Sequence, residues 1–594
     1  MSETIFELHS RIINDYRDFV HSFIQIADDR VREFVEHALL EEEQLWPEPL
    51  VQLSPAYKRA SNVKELSEEG ILHPETVSIF CTKDDNPIQL YQHQVEAIKK
   101  AARGESFVVT SGTGSGKSFC YIIPIIDRII RSPEIQRPVA IIVYPMNALA
   151  NSQLATLHQI AQGYTQRTGK DFPVRFARYT GETPEEERRA IQKDPPHILM
   201  TNYMMAELMM VRPEDRALLR EGASPLFLVF DELHTYRGRQ GADVAMLVRR
   251  LKARMNRQPV IHIGTSATMV AHRDATPDDR RRAVAEFASL FFGHSIGPDG
   301  IIEETLEPIT EGGPPSVDEI RNGMDIPLPE KLESFRRHPL VRWMEYALGV
   351  QTDADGKLRR RVPRTLSDAS RELSSLTGRD EKECSEKLRQ VLLQALSLSS
   401  KDGHQPIFPF KLHQFVSQGR AVYASLEPSE KRRFSLEERS SREGESLWAP
   451  LRFCRICGQD YYCMVRVENR FIPLLPNAED LPEGGTPGYL MPAFPDMPDL
   501  EDIIPDSWYD SRSGRLAGTW KSRMPLKVWV FPDGTFSTEE TDGATAMWWQ
   551  EEKFWLCLRC GEHYTAREGE YSKLATLSTE GRSSATTVLA TALL

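Results

Sequence analysis

Apolar residues at Ile5, Leu8, Ile12, Tyr16, Phe19, Phe23 and Ile26 recur at spacings of three and four, which predicts one or two amphipathic helices within residues 4 to 43. That pattern then breaks. From Trp46-Pro47-Glu48-Pro49 to Pro87 the chain is interrupted by prolines and polar residues and reads as an irregular connector. Between Ile88 and about Met269, short β-rich apolar runs alternate with helical segments, the signature of a parallel sheet covered on both faces. Six strands are expected: Phe107–Thr110, Val139–Tyr144, Val174–Tyr179, Ile198–Thr201, Phe227–Phe230 and Val260–Gly264. Each closes in a loop of small, polar or charged residues, the end of an open α/β sheet at which ligands bind.

Beyond residue 270 the order gives way to a charged, proline-punctuated region with helical patterns near Glu330–Leu348, Thr365–Leu376 and Glu381–Leu398. A second break comes near Ala449, where a segment rich in Pro, Gly, Trp and Tyr begins. It opens with Cys454-Arg-Ile-Cys457-Gly and closes with Cys557-Leu-Arg-Cys560-Gly.

Composition sets limits on this picture. A chain of 594 residues with 40% hydrophobic content has room for three or four domains. Its net charge of -13 excludes a uniformly basic nucleic-acid binder, but not binding through a local groove. The opening MSETIFELHS lacks the basic, then apolar, pattern of a secretory signal, and no apolar run reaches about 18 residues, so a cytoplasmic protein with no membrane partner is expected. Of eight cysteines, four lie in the two Cys-x-x-Cys pairs; Cys81, Cys120, Cys384 and Cys463 are scattered, as suits a reducing compartment.

Three constellations carry chemistry. Ser111-Gly112-Thr113-Gly114-Ser115-Gly116-Lys117-Ser118 follows an apolar strand and opens a helix. In that setting the turn frees backbone N–H groups for phosphates, Lys117 reaches the β/γ oxygens of a nucleoside triphosphate, and the Ser118 hydroxyl ligates Mg²⁺. Ser111 stands where the G-x-x-x-x-G-K-[ST] pattern has its first glycine. Next, LFLVFDELH ends a buried strand in Asp231 and Glu232: the first to hold Mg²⁺ through water, the second to orient or deprotonate an attacking water. Finally, the two cysteine knuckles can supply Cys454, Cys457, Cys557 and Cys560 to one tetrahedral, structural Zn²⁺, provided residues 458–556 fold back to join them; two unrelated thiol pairs are the alternative. Arg280–Arg282, and Arg359-Arg360-Arg361 with Arg364, form basic clusters that could touch phosphates, with solvated surface the preferred reading.

These residues, in this order, resemble the superfamily-2 helicases of the DExH type. Ser111–Ser118 is similar to their motif I, Asp231-Glu232-Leu233-His234 to motif II, which adds His234 to the catalytic set, and Ser266-Ala267-Thr268 to motif III, whose Ser266 and Thr268 couple nucleotide to nucleic acid. Leu90-Tyr91-Gln92-His93-Gln94 resembles the Q-motif, which implies that Gln94 reads adenine. Tyr144-Pro145-Met146-Asn147 resembles motif Ia with Asn147 in place of a basic residue, Thr180-Gly181-Glu182 motif Ib, and Thr201-Asn202 the segment after it. The resemblance implies that Pro145, Asn147, Thr180, Gly181 and Thr201 contact a sugar–phosphate backbone, and DNA is expected rather than RNA because no stacking platform or RNA module is visible in the sequence. His234-Thr-Tyr-Arg-Gly-Arg-Gln-Gly241 is similar to a loop of MrfA-like repair helicases, and WPEPLVQL and Phe410–Phe415 to large bacterial phage-defence helicases.

The family closes ATP between two RecA-like lobes, and no block resembling the second lobe's motifs occurs from 270 to 594. The expected organisation is a helical segment and connector (1–87), a RecA-like α/β ATP-binding lobe (88–270), a mostly helical accessory region (271–448), a four-cysteine zinc-binding region (449–580) and the start of a helix (581–594) leading to a second RecA-like lobe of a longer helicase. Such a portion binds ATP and Mg²⁺ but hydrolyses slowly by itself. The alternative is a non-catalytic, zinc-stapled nucleic-acid-binding or assembly subunit with ATP as a structural ligand.

Overall fold

A computed structural model describes residues 4–23, 25–38, 46–112, 114–267, 276–353, 356–398, 407–416, 421–439, 446–475, 481–494, 497, 499–510, 513–521, 523–565, 567–577 and 582–593. The chain forms two compact units, each discontinuous in sequence: one of residues 53–362 and 395–409, the other of residues 1–52, 363–394 and 410–594.

The first unit is built on a parallel sheet of seven strands. In chain order these are β1 (Phe107–Thr110), β2 (Ala140–Tyr144), β3 (Phe176–Arg178), β4 (Ile198–Asn202), β5 (Leu226–Phe230), β6 (Val260–Ser266) and β7 (Ile301–Glu303), and they lie side by side as β7-β1-β6-β5-β2-β4-β3. Six match the sequence expectation. The seventh, β7, pairs parallel with β1 through Ile301↔Val108 and lies beyond the expected lobe boundary at residue 270. At three residues it is too short to announce itself by periodicity.

Alternation along the strands decides which helices cover which face. Phe107, Val109 and Ile142 pack on one side with Val95, Ile98, Ile122, Ile126 and Leu157. Val108, Ile141 and Val143 pack on the other with Leu219, Val244, Leu247 and Phe291. The core is therefore split into two layers by a sheet buried on both faces, and the strand ends that carry the motifs gather along one edge.

Gly264 of β6 marks where this edge is tightest. A Cβ there would lie 2.2 Å from Leu233 Cδ1 and 3.3 Å from Val108 Cγ2, so only glycine lets the loop after β5 fold down onto the sheet.

The second unit centres on an antiparallel sheet of ten strands, with Trp448–Cys454, Asp460–Val467, Thr486–Pro492, Thr545–Glu551 and Leu526–Val530 as its successive long members. The N-terminal helices Ile5–Phe23 and Asp29–Glu36 belong to this unit. Tyr16, Val31 and Val35 share a core with Val422, Leu451, Met464, Val528 and Trp549. Arg432, its side chain 1% exposed, spans the joint, bonded to Asp28 at 2.7 Å and Asp460 at 2.6 Å. The helix Arg582–Leu593 packs along Ile5–Phe23, and Arg11 Nη1 donates to Ala592 O at 3.1 Å. Among the described residues no helix is long and apolar enough to cross a membrane.

Replacing Gly264 with alanine should destabilise the parallel-sheet unit by about 1–3 kcal/mol, the usual range for forcing an extra methyl into a packed core. Urea unfolding reads this directly, and an unchanged midpoint would mean that the Leu233 contact does not constrain the sheet edge.

Candidate active site and metal centre

Strand order brings the nucleotide motifs together. β1 and β6 are neighbours with Thr110 opposite Ser266, and Ser111 N donates to Ser266 O at 3.1 Å, so the phosphate loop and the Ser266 segment leave the sheet side by side. β5 flanks β6 on its other side and delivers Asp231 and Glu232. The loop turns through Gly114 and Gly116, both left-handed (φ 82° and 67°), and leads through Ser118 into the helix Phe119–Arg131.

Lys117 Nζ stands 3.4 Å from Glu232 Oε1 and donates to Ser111 O at 3.2 Å. Glu232 reaches it from a left-handed backbone (φ 54°), which costs a non-glycine residue of order 1–3 kcal/mol and is held by Thr235 donating to its carbonyl at 2.8 Å. Glu232 also lies 3.2 Å from His234 Nδ1. Burial, the first cause, pulls His234 below its ordinary value, so the neutral ring can accept from Ala267 N at 3.4 Å. Asp231 is 9% exposed, and burial pushes its carboxyl up, opposed by the Thr265 hydroxyl that donates to it. A cation would relieve that desolvated carboxylate, so the donor set of Asp231 and the Ser118 hydroxyl fits Mg²⁺.

Several partners were not legible beforehand. Ser111 is more than a tolerated stand-in for glycine, because its Oγ lies 2.7 Å from Ser115 Oγ and braces the loop across its mouth. His93 Nε2 lies 2.9 Å from Ser115 O. Gln94 donates to Gly116 O at 2.9 Å and accepts from Tyr91 N at 2.9 Å, which places both ends of its amide on backbone. Thr265 emerges only from the strand alternation that aims it at Asp231. The Arg359–Arg361 cluster departs from expectation: Arg360 is 19% exposed and folded against the phosphate loop at Gly112. Thr113 and Thr268 lie outside the described residues.

The nucleic-acid candidates divide by exposure. Thr180 and Thr201 are buried; the Thr180 hydroxyl accepts from Glu182 N at 3.3 Å, and the Thr201 hydroxyl donates to Tyr179 O at 2.7 Å. Pro145 and Asn147 are part-exposed and Gly181 is exposed. Asn147 accepts from Asn202 Nδ2 at 2.7 Å and donates to Glu182 at 2.9 Å, joining the three loops after β2, β3 and β4.

In the other unit the cysteine knuckles form two near-identical turns. Gly458 N donates to Cys454 O at 2.8 Å and Gly561 N to Cys557 O at 2.9 Å, and both glycines take φ 76°. The four sulfurs lie within 4.8 Å of one another, with Cys454–Cys560 at 3.9 Å and Cys457–Cys557 at 3.6 Å. A tetrahedron with Zn–S bonds of about 2.3 Å has edges of about 3.8 Å, so the thiols fit a zinc ion. Tyr461 adds a hydroxyl that donates to Cys557 Sγ at 3.3 Å. Sharing hydrogen bonds within the cluster, with Cys454 first, pulls the Cys557 thiol below its ordinary value while Cys454, Cys457 and Cys560 are pushed above theirs.

Residues 91–275 match the DEAD/DEAH box helicase family. Among curated relatives, the Druantia protein DruE of Escherichia coli (strain UMEA 4076-1) is 26% identical over an alignment of 388 positions that covers 43% of this chain and 21% of the relative. The uncharacterized ATP-dependent helicase YprA of Bacillus subtilis (strain 168) is 34% identical over 183 residues, 30% of this chain and 23% of the relative. The chain thus spans about a fifth of the length of these relatives. Among solved structures, the DUF1998 helicase MrfA bound to DNA and AMPPNP is similar over 60% of this chain and 46% of its own, at 19% identity and a TM-score of 0.34. With its glycine-rich loop, its acidic pair and the family match over residues 91–275, the parallel-sheet unit carries a DEAD/DEAH box helicase domain.

Proposed function

We propose that this chain supplies the ATP-binding lobe of an ATP-dependent DNA helicase or translocase. The observation that carries the reading is the Lys117–Glu232 pair at 3.4 Å, set between the phosphate loop and the acidic strand end. Without nucleotide the two charges satisfy each other. With ATP, Lys117 turns to the β/γ oxygens and frees Glu232 to hold a water for attack on the γ-phosphorus and to accept its proton, while the bond from the γ-phosphorus to the β,γ-bridging oxygen breaks and ADP leaves. Asp231 and Ser118 hold Mg²⁺, which when bound neutralises phosphate charge. His234 Nδ1 stands between Glu232 and the Ser266-Ala267 segment and can donate to the carboxylate or accept from Ala267 N but not both, a choice by which nucleotide occupancy is felt at the neighbouring loops.

The part-exposed Asn147 and the exposed Gly181, held with Glu182 and Asn202 at one edge of the sheet, offer amide and backbone contacts to a sugar–phosphate track without reading bases. DNA is preferred to RNA because the sequence carries no recognisable RNA module. Completion of the ATP site calls for cations from the opposite side; we assign these to a second RecA-like lobe, elsewhere in the protein or in trans, and hydrolysis by this lobe alone is slow. The four-cysteine centre holds structural zinc: all four ligands are protein thiols, which leaves no open position for chemistry.

Two measurements test this reading. Mg–ATP should bind the wild-type chain, and Lys117→Ala should weaken binding more than about tenfold, as expected for loss of a charge-assisted contact; absence of wild-type binding sinks the proposal, whereas rapid DNA-stimulated turnover by the chain alone would remove the need for a second lobe. RNA in place of DNA, in the same assay, tests the choice of track. Metal analysis should find one zinc per chain, falling to background in the Cys454→Ser/Cys557→Ser protein, and zinc retained by that variant would exclude the ligand set.

A further inference from the structure

The phosphate loop carries an anion of the protein's own. Glu304 follows β7, its backbone N–H donates to Thr110 O at 3.2 Å, and its carboxylate Oε2 accepts from Gly112 N at 2.8 Å. A fixed carboxylate on a loop that must receive a polyphosphate opposes that ligand unless its charge is cancelled.

The cancelling group is Arg360, at the end of the hairpin in which Val350–Thr352 pairs with Leu358–Arg360. Its Nε donates to Glu304 Oε1 at 2.6 Å and its Nη2 to Oε2 at 3.1 Å, so both carboxylate oxygens are engaged in the paired geometry that makes arginine–carboxylate contacts strong. The guanidinium lies 5.3 Å from the ring centroid of Tyr57 and also donates to the Tyr57 hydroxyl. Burial first pushes that phenol up to about 12, so it adds no second negative charge. Gly112 leaves the space: a Cβ there would lie 2.7 Å from Arg360 Cζ. Arg359, next along, bonds Asp353 at 3.0 Å and Glu303 at 3.4 Å and so fixes the hairpin to β7. None of these residues takes part in the hydrolytic step described above.

We propose that Arg360 is a positioning residue of the nucleotide site that screens Glu304, and that the Val350–Arg360 hairpin thereby sets the affinity of the phosphate loop for nucleoside triphosphate. This rests on the nucleotide reading of the loop. A displacement of the hairpin would leave Glu304 bare on Gly112 and lower nucleotide affinity with no change in Lys117, Asp231 or Glu232.

The test is Mg–ATP binding to the full chain by calorimetry. Arg360→Met, which keeps length and removes charge, should bind ATP roughly tenfold more weakly, the factor produced by losing about 1.4 kcal/mol. Arg360→Lys should retain most of the affinity, and Glu304→Gln/Arg360→Met should recover it, because the amide can still accept from Gly112 N but carries no charge. Unchanged affinity in Arg360→Met overturns the proposal, as does a double variant as weak as the single one, which would assign Arg360 a packing role only. If Arg360→Met does not fold, the comparison of Glu304→Gln with wild type decides: affinity equal or higher supports screening, and a tenfold loss overturns it. Failure of wild type to bind ATP is a distinct outcome that overturns the nucleotide reading and this inference with it.

Discussion

A loop proposed to receive a triphosphate must be stable before the triphosphate arrives, and much of the parallel-sheet unit's polar architecture follows from that constraint. Its glycines give up side-chain packing to expose amides, and its lysine needs a counter-charge. The protein meets both needs from within. Ser111 and Ser115 brace each other, His93 and Gln94 hold the carbonyls of Ser115 and Gly116, Glu232 faces Lys117, and Glu304 sits on Gly112. Each of these contacts is polar and individually small, and together they hold the loop from several sides.

Those bracing contacts come from chain segments far apart in sequence, which explains what could be read in advance. The loop, the acidic pair, the cysteine knuckles and six of the strands are local patterns, legible from spacing and alternation. Gln94 was legible as a site residue through its motif, whereas the carbonyls it holds were not. Glu304 and Arg360 had no such signal: a glutamate after a three-residue strand and an arginine in a basic run look like any solvated surface until a parallel strand pairing brings them to Gly112. Thr180 and Thr201 show the reverse. They sit in recognisable segments, yet their buried hydroxyls are engaged inside the lobe, because strand ends need their own backbone groups satisfied first.

The cysteine unit follows a different logic. Its two knuckles are separated by a long stretch of chain, and what brings them together is an antiparallel sheet whose strands Trp448–Cys454 and Asp460–Val467 flank the first turn. The folded sheet holds the four sulfurs together, so a metal bound there would join the Cys454–Cys457 turn to the Cys557–Cys560 turn. Tyr461, reaching Cys557 from the same sheet, ties the geometry of the thiol to the geometry of the strands.

The N-terminal helices have a place in time as well as in space. Asp28 meets Arg432 across 404 residues of chain, and at roughly 5–20 residues per second a ribosome needs about 20–80 s to make that interval. Until residues 422–549 are made, Tyr16 has only part of its core, Trp46 and the helix Asp29–Glu36, while all seven strands of the parallel sheet have already been synthesised. The helix Ile5–Phe23 is thus made before the parallel sheet, yet its core is completed only after it, because Val422, Leu451, Met464 and Trp549 come later in the chain.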